Sequence, residues 1–289
     1  MQLLASILID SAAYGMTLFM IAVGLSVTLG LMRVVNLAHG LFAVLGGYFA
    51  WCLSTAVHVH FLLAVVLAIA GVGLVGLVLE RTLFQKLYDR GPLDQVLMSI
   101  GIIFVGIAAT GVLFGDGLKT LPFPAVVSGS TDIGFRLIPT QRLLVIACGL
   151  AVVVLIWLIF EHTRFGVRLR AAVDNINAAE ALGIDSRLLY AAAFTFGAAL
   201  AALGGILGAE IMQIEPFYPL KYLVVFLAVV AVGGLGNIWG SLGAALLIGT
   251  VDTTGKYLVP ALGSILSYGA MLAVLSFRPV GLFGKKEAE

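Results

Sequence analysis

His58 and His60, one residue apart, come nearest in this chain to a metal-ligand pair, yet no carboxylate or thiol stands beside them to complete a coordination set. Cys52 and Cys148 fall inside long apolar stretches, where a thiol serves as a small buried hydrophobe rather than as a redox or metal group. No nucleophile, metal cluster or acid pair emerges at meaningful spacing, so no catalytic residue and no metal ligand is assigned, and an enzyme is the weakest reading.

The polar groups that remain are few and sit beside glycines. Asn36 and His39 adjoin Arg33 and Gly40, and in an apolar setting they must either satisfy a broken helix or line a path. Structural satisfaction is the simpler of the two. Asn237 lies among Gly233, Gly234, Gly236 and Gly240, and Gly236-x-x-x-Gly240 permits close helix packing. Asn36 to Gly40 and Asn237 to Gly240 hold similar places between two apolar segments, as expected of two helix reversals. Asp10, Asp252, Glu210 and Glu215 fall near the ends of such segments, where a carboxylate reaches water.

The elements that position these groups follow from composition. Of 289 residues, 61% are hydrophobic, 11% are charged and mean hydropathy is +1.13. A soluble chain carries roughly 25% charge, so lipid is the solvent for this surface. Stretches free of Asp, Glu, Lys and Arg run from Ser11 to Met32, Val34 to Leu79, Gln95 to Gly115, Leu143 to Phe160, Leu188 to Ala209, Tyr222 to Val251 and Tyr257 to Phe277. A bilayer core of about 30 Å takes roughly 20 residues per helix, so two of these stretches must turn back. The turns are expected near Ser54 to His60 and at Gly233 to Asn237, giving about eight or nine transmembrane helices. The segments are apolar on every face, which excludes the alternating pattern of a membrane barrel. The chain is expected to be an all-α polytopic membrane protein, one transmembrane domain over residues 1–289, with its first apolar stretch retained as a span.

Threading nine alternating spans puts Arg33, Arg81, Lys86, Arg90, Arg164, Arg168, Arg170, Arg187, Arg278, Lys285 and Lys286 on one side, and Lys119, Arg136, Arg142, Lys221 and Lys256 on the other. The positive-inside rule makes the first side cytoplasmic, with the N-terminus outside and the C-terminus inside. Two connections are long: 116–141 outside, punctuated by Pro122, Pro124 and Pro139, and the cytoplasmic loop 161–187.

Within that inner loop, Leu169, Ala172, Val173, Ile176, Ala179 and Leu182 recur at helical spacing, fitting one short amphipathic helix or two. Asn177 with Glu180 reads as a capping box, and Gly183 as a helix stop. From periodicity, the segment either rests in the lipid interface or docks on a partner across the low relief of Ala178, Ala179, Ala181 and Gly183.

Ala179-Glu180-Ala181-Leu182-Gly183-Ile184 resembles the cytoplasmic EAA loop of bacterial ABC importer permeases. Together with Asn36-Leu-Ala-His-Gly40, Phe194 to Gly205, Val232-Gly-Gly-Leu-Gly-Asn-Ile-Trp-Gly240 and Arg278-Pro-Val-Gly-Leu-Phe-Gly284, it resembles the shorter permease of the branched-chain amino acid importers. The resemblance implies that Ala178 to Gly183 couple to an ATPase. It implies a second homologous permease, two cytoplasmic ABC ATPases and an extracytoplasmic substrate-binding protein as partners, in a bacterial cytoplasmic membrane. The chain has no Gly-x-x-x-x-Gly-Lys-Ser/Thr loop and needs no cofactor of its own, so ATP and Mg would be used by the partners. An importer of urea or short amides is the nearest alternative, and a stand-alone carrier or channel for a small neutral solute the next. The absence of a carboxylate within the spans disfavours ion-driven transport.

Overall fold

A computed structural model describes residues 2–32, 34–88, 90–132 and 137–284. Arg33, Arg136, Lys285 and Lys286, used above to orient the chain, lie outside the described residues. The chain is a helical bundle, the expected class. Its order is α1 (Gln2–Leu25, continued by a π-helical turn Ser26–Leu31), α2 (His39–Thr55), α3 (Phe61–Thr82) and α4 (Pro92–Phe114). The 116–141 connection holds a short α5 (Ala125–Ser128) and a hairpin of β1 (Ser130–Asp132) with β2 (Leu137–Pro139). Then come α6 (Thr140–His162), α7 (Arg164–Asp174), α8 (Ile176–Ala181), α9 (Ser186–Leu207), α10 (Tyr218–Lys221), α11 (Leu223–Gly233), α12 (Ile238–Leu258) and α13 (Gly263–Phe277).

Among the described residues, five helical stretches are long and apolar enough to cross a bilayer: Leu3–Gly30, Phe61–Leu87, Pro92–Phe114, Thr140–His162 and Ser186–Leu207. They divide by environment. The most apolar window is 89% buried in the first and 67% in the last, against 22–28% in the other three. α1 and α9 are therefore the centre, while α3, α4 and α6 turn apolar faces outward: Leu62, Val66, Leu74, Phe104, Val105, Val112, Leu150 and Val154 are all exposed. Such a surface is stable only against lipid.

The two long charge-free stretches turn where the sequence indicates. α2 ends at Thr55 and α3 begins at Phe61, while α11 ends at Gly233 and α12 begins after Asn237. The helical part of the first stretch, however, starts at His39 and not at Val34. The chain leaves α1, passes Val34 to Ala38 without helical structure, and opens α2 deep beside α1, with His39 Nε2 3.0 Å from the Ile21 carbonyl oxygen. α2 then runs outward, its Tyr48 stacking on Phe114 at the far end of α4.

A second broken helix mirrors it. After α9 the chain turns inward through α10, and a Cβ on Gly40 would meet Pro219 Cα at 3.4 Å and the Phe226 ring at 3.2 Å. α11 leaves from there in the opposite direction and ends where Gly234 touches Gly284. The N-terminus of α2 thus packs on α10 and on the Phe226 ring of α11, and α2 and α11 run to opposite ends. Non-helical backbone at such depth is tolerated because protein rather than lipid surrounds it.

The ends of the bundle differ in charge. Tyr88 packs edge-on against Tyr190, Val35 N–H donates to Gln95 Oε1 at 2.8 Å, and Arg170 donates to the Phe160 carbonyl at 2.8 Å. These contacts gather Arg81, Lys86, Arg90, Arg164, Arg168, Arg170, Arg187 and Arg278 at one end, here the basic end. Lys119, Arg142, Lys221 and Lys256 lie at the other, joined by the Lys119–Ile214 bridge and the Asp10–Arg142 ion pair.

Candidate coupling surface

The loop at the basic end folds as two helices rather than one. Thr163 caps α7, its Oγ1 accepting from Gly166 N–H at 3.4 Å, and Asn175 caps α8, its Oδ1 accepting from Ala178 N–H at 3.0 Å. The capping box expected from Asn177 and Glu180 does not form. Asn175 has extended backbone (φ −154°, ψ 101°) and takes the cap position two residues earlier, while Glu180 accepts from Ser186 Oγ. The carboxylate ties α8 to the first turn of α9 instead of closing on its own helix.

Gly183 ends α8 with φ +81°. Its N–H reaches the Glu180 carbonyl at 2.9 Å and the Ile184 N–H reaches that of Ala179 at 3.1 Å, the paired bonds of a Schellman turn. This turn fixes how the rod joins α9. Leu169, Ala172 and Ala179 face inward at 0–2% exposure, whereas Leu182 is 81% exposed. Ala178, Glu180, Ala181 and Gly183 are exposed beside it, and nothing lies within 4 Å of a Cβ placed on Gly183. A cavity of about 500 Å³ opens next to this turn, lined by Phe165, Arg168, Leu182, Gly183, Asp185 and Leu188 among others. The arrangement is an apolar knob and an open hollow on a rod held at both ends.

The other polar candidates separate into two kinds. Asn237 is a helix cap: its Oδ1 accepts from Gly240 N–H and its Nδ2 donates to the Phe283 carbonyl, each at 2.9 Å. Gly236 (φ +75°) packs backbone against backbone on Gly30, a Cβ on Gly30 falling 1.9 Å from Gly236 N. Asn36 is fully buried, and among the described residues neither end of its amide has a partner, nor does His39 Nδ1. Buried amides left unpaired are rare and costly. Gly40 adjoins both at the start of α2, where Ala38 supplies no side-chain cap. The structure therefore brings Asn36, His39 and Gly40 together at the inner end of α2 and keeps Gly236 and Asn237 apart from them at the basic end.

Glu80 closes an apolar run and reads in the sequence as a loop edge, but it lies within the helical stretch Phe61–Leu87, so the expected absence of carboxylates within the spans does not hold there. It is fully buried, and Tyr88 donates to its Oε1 at 2.6 Å, with Arg81 Nε 3.7 Å from Oε2. Burial pushes the Tyr88 phenol well above its ordinary range, so it remains a donor. The signal that could have found it was a tyrosine eight residues after a glutamate across a span end.

A model of the branched-chain amino acid transport system permease component matches residues 7–275. The chain belongs to this family. The permease is accordingly the membrane component of a transport system and not an enzyme. It is similar to the high-affinity branched-chain amino acid transport system permease protein BraD of Pseudomonas aeruginosa, 26% identical over 98% of this chain and 96% of that one. It is similar to LivH of Escherichia coli K12, 25% identical over 97% and 95% of the two chains. A probable LivH of Methanocaldococcus jannaschii is 27% identical over 96% of this chain and 92% of its own. No solved structure matches the permease.

Proposed function

We propose that the permease is the membrane subunit of an ATP-driven importer of branched-chain amino acids in the bacterial cytoplasmic membrane. Its basic end faces the cytosol, with the N-terminus outside and the C-terminus inside. Ala178, Glu180, Ala181, Leu182 and Gly183 seat a partner ATPase, which binds and hydrolyses ATP with Mg²⁺; Ala179, expected on the same surface, faces inward and anchors the rod to the bundle. A second related permease, two ATPases and an extracytoplasmic binding protein complete the importer.

One observation carries the coupling role: an apolar knob, Leu182, stands 81% exposed on a short rod tied at both ends to spans α6 and α9. An exposed leucine on a rigidly ended helix is poorly placed as core and well placed as a plug for a partner's cleft. Closure of the partners would move the rod as a rigid body and carry α6 and α9 with it. Asn36, His39 and Gly40, at the inner end of α2, are the candidate path residues, and Gly236 and Asn237 form a helix reversal.

Purification from native membrane tests the reading. The expected result is a co-purifying ATPase and ATP-dependent leucine uptake in vesicles supplied with the binding protein. Leu182→Glu should lose the ATPase while leaving membrane insertion intact. Absence of any ATPase, or labelling of Glu180→Cys by an impermeant thiol reagent from outside intact cells, would refute it.

A further inference from the structure

At the end opposite the α7–α8 rod, two adjoining cavities of about 190 and 250 Å³ share Tyr14, Tyr222, Asp252 and Lys256. Three ion pairs border them: Lys221, on the larger cavity, donates to Glu215 at 2.5 Å, and two more face the smaller one. Arg142 Nε lies 3.4 Å from Asp10 Oδ1, and Tyr257 donates to Asp10 Oδ2 at 2.7 Å. Lys256 donates to Asp252 Oδ2, and Ser267 donates to Asp252 Oδ1 at 2.8 Å. The smaller cavity is lined by all four charged groups of these two pairs.

Ion pairs beside an apolar bundle are expensive, and packing alone would be served as well by aliphatic residues. Here two pairs of opposite polarity face one space. The Asp252 side chain is only 10% exposed, and the buried Arg142 Nε–H makes no hydrogen bond among the described residues despite its charge contact with Asp10. The walls add what the charges lack: Ile211 and Met212 line one cavity, Val225 and Ile248 the other, and Tyr14 and Tyr222 stand between. Each charge has a resident counter-charge, so a ligand enters by exchange: one bearing both signs replaces Asp10 at Arg142 and Lys256 at Asp252, while the displaced Asp10 and Lys256, 26% and 56% exposed, are left to water.

We infer that this vestibule is a binding site for a free zwitterionic α-amino acid with an aliphatic side chain. The ligand carboxylate takes Arg142, its ammonium takes Asp252, and its side chain lies against Ile211 and Val225. The inference rests on the amino-acid reading above and adds a place on this chain where the solute stops before crossing.

The test uses the reconstituted complex with its ATPase and binding protein, and a diazirine analogue of leucine as photoprobe. Label is expected on Ile211, Met212 or Val225, displaced by free leucine. Arg142→Met and Asp252→Asn should each lower it about tenfold, as for loss of one charged hydrogen bond. The double variant Asp10→Arg with Arg142→Asp keeps an ion pair of reversed polarity: a structural staple would survive with label intact, whereas a binding site loses its label. Ile211→Trp, which fills the space without touching a charge, should abolish label too. Leucine uptake by the unsubstituted complex with label elsewhere, or with label unchanged in the variants, would overturn the vestibule alone. No leucine uptake at all would overturn the amino-acid reading and the vestibule with it.

Discussion

Gly24 of α1 and Gly197 of α9 meet backbone to backbone, a Cβ on Gly24 falling 2.5 Å from the Gly197 carbonyl oxygen. Between apolar helices in lipid, such close approach replaces the hydrophobic drive that water would supply. Gly24→Leu should therefore force the two central helices apart, costing at least about 1–3 kcal/mol as overpacking does. Gly101, with nothing within 4 Å of its Cβ position, should accept Ala without loss. Thermal unfolding in detergent separates the two variants, and equal stabilities would contradict the packing.

Gly183 invites the opposite kind of substitution, because space is open around it and only its φ of +81° resists a side chain. Gly183→Val should cost about 1–3 kcal/mol of local strain and redirect the joint between rod and α9. Membrane insertion should persist while ATP-dependent uptake falls. Gly183→Asn, which tolerates the left-handed region, should retain most uptake. Parallel uptake and membrane-fraction assays read both effects.

Asn36 should behave as a residue kept for something other than stability. Replacing its unpartnered buried amide by the similarly sized Leu removes an uncompensated cost, so Asn36→Leu is expected to raise stability by up to about 2 kcal/mol. Uptake should fall in the same variant. A melting scan beside an uptake assay checks the pair of changes, and a destabilised variant would mark Asn36 as structural.

Asn237 makes the contrary prediction. Asn237→Ala removes both the cap on α12 and the bond to Phe283, for about 1 kcal/mol at the cap alone. Asn237→Asp keeps the acceptor for Gly240 and loses only the donor. The expected order of melting points is wild type, Asp, then Ala.

Glu80 and Tyr88 test a buried polar contact. Tyr88→Phe leaves the Glu80 carboxylate, fully buried, without its 2.6 Å donor and should destabilise by about 1–3 kcal/mol. Adding Glu80→Leu to it should recover much of that loss, since replacing both partners by apolar groups is close to neutral. A double-mutant cycle on thermal stability measures the coupling.

Much of this molecule was legible in its residues. The apolar runs located the helices, and the turns at Ser54 to His60 and Gly233 to Asn237 were readable because chain length and bilayer thickness set them together. Gly183 was readable as a stop because only glycine sits easily at positive φ. The cap of α8 was not. Asn175 and Asn177 are chemically the same, and which one bonds depends on where the backbone of α7 ends.

By itself the sequence determined the solvent, the class and the asymmetry of basic residues between ends, because hydropathy and charge act locally along a chain. Tertiary structure alone decided that α2 begins at His39, deep beside Ile21, and that it starts against Pro219 and Phe226. It alone set Tyr257 on Asp10, 247 residues away, and Ser267 on Asp252. Such pairings depend on which helix faces pack together and in what register, and that choice belongs to the whole bundle rather than to any one of its segments.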